Sequence, residues 1–166
     1  MNFQNFRKEF DLRVIFLFYI YIFSFITFSL LLHFNFWTMA FDLGIFDQGI
    51  WLASKFSDLF VTVRGLNKFG DHFDPIIYLL GSAYWIFDHI SVMLIIHTVV
   101  IGLGVFPIYL YAKEKTQNDF FSLVISFCYL CYPALSNMNW DVIHPEAFAM
   151  TFTVYGFYFI LKKKYI

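Results

Sequence analysis

Val14-Ile15-Phe16-Leu17-Phe18-Tyr19-Ile20-Tyr21-Ile22-Phe23-Ser24-Phe25-Ile26-Thr27-Phe28-Ser29-Leu30-Leu31-Leu32-His33-Phe34-Asn35-Phe36-Trp37-Thr38 is a run of 25 residues in which His33 is the only side chain that titrates near neutrality. At 1.5 Å per residue it is long enough to cross a hydrocarbon core of about 30 Å. The rest of the chain agrees with that reading. Of its 166 residues 60% are hydrophobic, 24% aromatic and only 14% charged, a balance outside the soluble globular range. The expected fold is an all-α, multi-pass transmembrane protein forming a single membrane domain over residues 1–166. The lipid bilayer is its first partner, and nucleic acid is not expected. A cleaved signal peptide would have an apolar region of about 7–15 residues, so the long first run reads as an uncleaved anchor.

Four crossings are expected, at 14–38, 90–112, 120–138 and 145–161, with an outer loop over 39–89. Pro133 should kink the third crossing or end its last turn, because proline lacks the amide that an inner helical turn needs. Pro145 should open the fourth. Placing both termini in the cytoplasm puts Arg7, Lys8, Arg13, Lys113, Lys115, Lys162, Lys163 and Lys164 inside and leaves Lys55, Arg64 and Lys68 outside, which satisfies the positive-inside rule for a cell-membrane protein. Cys128 and Cys131 form a lone C-x-x-C in an apolar run, with no second Cys or His pair at zinc spacing. They read as buried packing residues.

The outer loop holds the chemistry. In Phe41-Asp42-Leu43-Gly44-Ile45-Phe46-Asp47-Gln48-Gly49-Ile50-Trp51, a helical wheel at about 100° per residue collects Gly44, Asp47, Gln48, Trp51, Ser54 and Lys55 on one side, and Ile45, Phe46, Leu52, Ala53 and Phe56 on the other. That is the pattern of a helix lying in the interface. Asp42 precedes the amphipathic run and suits an N-cap, a reading that competes with a functional one. After a polar connection over Ser57–Asp71, Asp74-Pro75 suits a cap followed by proline at the first helical position. Pro75–Phe87 is then a second interfacial or re-entrant helix, too short to span.

Three outer segments carry polar side chains at close spacing: Asp42 with Asp47-Gln48, then His72-Phe73-Asp74, then Asp141 with His144-Pro145-Glu146. Packing the helices that bear them would gather carboxylates and imidazoles at one membrane face. There they could act as a general base or hold a divalent cation such as Mg or Mn, since partial desolvation and like-charge crowding lift carboxylate pKa values. The competing reading is capping and solvated loops. Capping is least persuasive for His144, because helices favour Ser, Thr, Asn or Asp at that position. His97, inside the second crossing, suits either a functional role or a neutral imidazole bonded to a neighbouring helix. His33 and His89 read as interfacial.

Phe41-Asp42-Leu43-Gly44-Ile45-Phe46-Asp47-Gln48 with Trp51, His72-Phe73-Asp74-Pro75, Phe106-Pro107-Ile108-Tyr109, Tyr129-Leu130-Cys131-Tyr132-Pro133-Ala134 and His144-Pro145-Glu146 together resemble, in that order, a family of prokaryotic polytopic membrane proteins of unknown function. The resemblance runs from Trp37 onward. That family looks like a relative of the C-type (GT-C fold) glycosyltransferases, which take a sugar from a polyprenyl-phosphate donor on the extracytoplasmic side. The resemblance implies that Asp42 or Asp47 is the base that deprotonates the acceptor. It implies that His72, Asp74, His144 and Glu146 line the site or hold a metal, and that Arg64 or Lys68 steadies the leaving phosphate. Gln48 and Trp51, beside Asp47, would contact substrate. Such enzymes have many more than four crossings, so the resemblance makes this chain the N-terminal portion of the domain, whether as a truncated product, one half of a split protein or a fragment, and an active enzyme only with a second chain. The rival expectation is a non-catalytic membrane protein: a truncated remnant, an assembly subunit or a transporter component.

Overall fold

The structure is a computed structural model that describes residues 11–38, 40–140 and 143–162. Arg7, Lys8, Asp141, Lys163 and Lys164, which entered the topology and site expectations, lie outside the described residues. Helix α1 spans Leu12–Phe34 and α2 spans Ala40–Ser54; a hairpin of β1 (Phe60–Val61) and β2 (Leu66–Asn67) follows, then the short α3 (Lys68–Asp71). Helix α4 (Ile77–Gly81) runs into a 3-10 turn at Ser82–Trp85, and α5 (Ser91–Leu103), α6 (Val105–Thr116), α7 (Asp119–Leu130), α8 (Pro133–Trp140) and α9 (Pro145–Leu161) complete the chain.

Among the described residues two helices are long and apolar enough to cross a membrane: Leu12–Phe34, and the 26 residues Ser91–Thr116 formed by α5 and α6. Helices α7 and α8 make a third only if they count as one broken span, since they meet at a bend of 44°. The bend falls at Pro133, where a helical amide is missing. Helix α9 starts at Pro145 as expected and has 17 residues.

Most of α1 faces outward. Its buried residues, Val14, Tyr21 and Ser29, form a narrow seam against the other helices. The seam is closed by a polar knot: Asn139 of α8 donates from Nδ2 to the Tyr21 hydroxyl (3.1 Å), accepts at Oδ1 from the Thr98 hydroxyl (2.8 Å), and lends its backbone carbonyl to the Ser29 hydroxyl (3.3 Å). Hydroxyl and amide side chains are the usual cement between apolar helices, where lipid offers no competing partner.

The α5–α6 junction uses the same chemistry. Pro107 carries no amide for the Leu103 carbonyl, and the Tyr155 hydroxyl donates to that carbonyl instead (3.2 Å). The Val100 carbonyl accepts from Thr151 (2.9 Å) and the Ile101 carbonyl from Tyr129 (2.9 Å). Gly104 makes this possible: a Cβ there would sit 2.1 Å from the Tyr129 hydroxyl.

The loop between the spans differs from the sequence reading in four respects. Asp42 is not the cap of α2; it sits in the helix's first turn and is exposed. Asp74 does not cap the following helix, because its carboxylate is taken by Lys68, and α4 begins without a side-chain cap. The segment expected as one helix over Pro75–Phe87 is helical only over Ile77–Trp85, an α turn tightening to 3-10, and Gly81 packs directly on the α2 backbone, where a Cβ would meet the Ser54 amide at 2.9 Å. The polar connection contains a two-residue-per-strand hairpin, with Phe60 opposite Asn67 and Val61 opposite Leu66. Elsewhere, Cys128 and Cys131 prove exposed on α7 and just after it, not buried.

Candidate functional site

Helix α2 buries Leu43, Ile45, Phe46, Ile50 and Ala53, and Leu43, Phe46, Ile50 and Ala53 pack with Ile77, Leu80, Tyr84, Met93, Leu94, Ile143 and Phe148 in one cluster. This core fixes which way the polar residues of α2 project. Asp47 is half-buried and accepts a hydrogen bond at Oδ1 from the Tyr84 hydroxyl at 2.5 Å. Burial, and secondly the negative carboxylate it faces, hold the Tyr84 phenol well above its ordinary value, so it serves as a donor throughout the physiological range.

Asp47 lines a cavity of about 350 Å³ together with His33, Phe34, Phe36, Thr38, Leu43, Gly44, His89 and Ile90. His33 comes from the last turn of α1 and His89 from the approach to α5, and their rings meet edge to face with centroids 5.9 Å apart. His89 Nδ1 accepts the Ser91 amide at 3.1 Å, so a neutral His89 carries its proton on Nε2. His33 Nδ1 is buried and finds no protein partner. The cavity therefore combines one carboxylate, two imidazoles and an aromatic wall at the junction of a spanning helix with the polar loop. Sequence reasoning singled out Asp47 but passed over the two histidines, which come from distant segments.

The other expected site residues are placed as follows. Gln48 Oε1 accepts from both the amide and the hydroxyl of Thr62 (3.0 Å each), tying α2 to the turn that follows β1. Trp51 donates from Nε1 to Asp88 (3.3 Å), and Lys55 approaches the same carboxylate at 3.6 Å. Arg64 Nε and His72 Nδ1 hold opposite oxygens of Asp71, at 3.0 and 3.1 Å. Asp71 lies below the ordinary carboxylate range, chiefly because of the Arg64 hydrogen bond. Asp74 grips Lys68 with both oxygens (3.0 and 3.1 Å). Lys68 is fully buried, with its ammonium 4.5 Å from the centre of the Phe46 ring and its stem in the space left by Gly49. It is thus withdrawn from any phosphate.

His144 precedes α9 without capping it through its side chain; its Nδ1 lies 3.9 Å from the exposed Glu146 carboxylate. Its backbone amide donates to Nε2 of the buried His97 (3.4 Å). The second segment packs on α2 through His72 against Phe46, with ring centroids 5.8 Å apart, and the third reaches the same core through Ile143 and Phe148. His72, Asp74, His144 and Glu146 do not line the Asp47 cavity. Among the described residues no group of three or more His, Cys, Asp or Glu is placed to hold a metal ion.

An apolar helical bundle with hydroxyl-satisfied helix breaks, and a polar loop folded over one end, defines an integral membrane protein. The chain belongs to the family designated DUF2079 and described as predicted membrane protein, which matches residues 32–166. Comparison with curated proteins and with solved structures yields no match.

Proposed function

We propose that the protein is a multi-pass cell-membrane protein working as the N-terminal part of a GT-C-like glycosyltransferase. On this reading both termini are cytoplasmic, and the Asp47 cavity opens on the extracytoplasmic face. The observation that carries the reading is the half-buried Asp47 at a cavity that also holds His33 and His89. A carboxylate at a partly dry boundary is suited to take a proton from an acceptor hydroxyl as that hydroxyl attacks the anomeric carbon of a polyprenyl-phosphate sugar. The Tyr84 hydrogen bond holds the carboxylate in place, and an imidazole beside it is a donor for the departing phosphate. Asp42, exposed in the first turn of α2, is the weaker candidate for the base.

The test is transfer of labelled sugar from polyprenyl-phosphate donors by membranes containing the full chain with its native neighbours, with and without Mg or Mn. Asp47→Asn should lower the rate by about 10²–10⁴, the range for loss of a general base. Asp42→Asn should stay within a few-fold of the parent. Loss on Asp42→Asn with Asp47→Asn unaffected would reverse the assignment. Absence of transfer with every donor class, in membranes where the protein is folded, would favour the non-catalytic reading.

A further inference from the structure

Helices α6, α7 and α9 border an apolar groove of about 450 Å³ that shares no lining residue with the Asp47 cavity. Pro107, Ile108, Tyr111 and Ala112 form its floor, with Ile125 of α7 on one side and Val154, Phe157, Tyr158 and Leu161 of α9 on the other. The volume falls within the roughly 300–1,000 Å³ of sites that hold a discrete small ligand. Phe157, Leu161 and Ile125 are substantially exposed, so the groove opens on the surface that a bilayer would cover.

One end of the groove is basic. Lys115 and Thr116 close it, and Lys113 and Lys162 stand nearby on α6 and at the end of α9. Lys113 is held by Asp119 (3.0 Å) and Lys162 pairs with Glu114. Lys115 has no carboxylate partner among the described residues; its ammonium rests 5.5 Å from the centre of the Tyr111 ring, with its stem along the groove. A lysine that lays its methylenes on an apolar channel and presents its ammonium at the channel's end is built to meet an anion with a hydrocarbon tail.

We propose that this groove is a binding site for an anionic glycerophospholipid, with one acyl chain between α7 and α9 and the phosphate on Lys115. Basic character at this end selects an anionic headgroup over a zwitterionic one, and the carbon lining selects an acyl chain over a soluble phosphate. The site is independent of the Asp47 chemistry.

The full chain, equilibrated with mixed vesicles of equal phosphatidylglycerol and phosphatidylcholine and analysed by native mass spectrometry, should retain phosphatidylglycerol about fivefold over phosphatidylcholine, the factor one ammonium contributes at an anionic membrane surface. Lys115→Gln, on an exposed side chain that leaves the fold intact, should abolish the preference, and Lys115→Arg should keep it. Val154→Trp, which fills the groove, should cut retention of both lipids. Equal retention of the two lipids by the parent overturns the proposal, as does a preference that survives Lys115→Gln. So does a dimer cross-linked through a cysteine placed at Phe157, because a second copy would then occupy the groove.

Discussion

Lys68 is a cation enclosed by protein on every side, and its environment is dominated by one carboxylate and one aromatic face. Removing a single partner from such a pair strands a charge, which typically costs about 3–5 kcal/mol, whereas replacing both with apolar groups is far milder. Asp74→Asn should therefore destabilise the loop region strongly, while Lys68→Met combined with Asp74→Leu should recover most of the loss. Thermal melts of the three proteins in one detergent would show whether the double change recovers the stability that Asp74→Asn loses. Asp71 behaves differently because its partners, Arg64 and His72, meet solvent where Lys68 does not. Its folded-state pKa is depressed by Arg64, so its contribution is present above the ordinary carboxylate value of about 3.9 and is lost as pH falls through the lower folded value. Arg64→Gln should accordingly lower the melting temperature at pH 7, and the gap between variant and parent should close in strong acid. A gap that widens in acid would show that Arg64 acts through something other than Asp71.

At the scale of elements, two glycines decide how helices approach one another. Gly81 lets the α4 segment lie directly on the end of α2, where the Trp85 indole also donates to the Ser54 carbonyl at 2.8 Å. Gly81→Ala should cost about 1–3 kcal/mol through overpacking against backbone that has nowhere to move. Gly104 makes room for the Tyr129 hydroxyl. Gly104→Ala and Tyr129→Phe should therefore couple by about 0.5–3 kcal/mol in a double-mutant cycle, since the first already dislodges the hydroxyl that the second removes. Local signals in the sequence were enough for several elements. The apolar run located α1, Pro133 located the α7–α8 bend, and Pro145 located the start of α9. The wheel of Phe41–Trp51 also pointed Asp47 and Gln48 away from the buried Ile45 and Phe46. What the sequence could not reveal was set by contacts between segments. The turn tightens to 3-10 after Gly81, which lies against Ser54, and Asp74 abandons its capping role because Lys68 is close by in space. Ser54 itself, assigned to the polar side of the wheel, is buried for the same reason.

For the molecule as a whole, Lys113–Asp119 braces the α6–α7 turn and Lys162–Glu114 ties the end of α9 to it, while Lys113 and Asp119 also act on Asp11 and Arg13 at the start of α1. Single-cysteine reporters at Lys115 and Ser57, in a background lacking Cys128 and Cys131, should therefore label from opposite sides of the membrane. Labelling from the same side would break the proposed topology. The candidate site was legible only in part. Asp47 could be picked out by its neighbours on one helix, but the cavity is completed by His33 and His89, whose proximity depends on how α1 meets α5.

The Asn139 knot gives the fold a temporal order. Tyr21 and Ser29 leave the ribosome long before Asn139, and at about 5–20 residues per second the interval is on the order of 10 s. Throughout that time α1 sits in the bilayer with its seam hydroxyls awaiting the residue that will join them to α5. The bundle therefore cannot close until α8 has been made, and a nascent chain arrested before α8 should expose the α1 seam to whatever membrane chaperone or neighbouring helix is present.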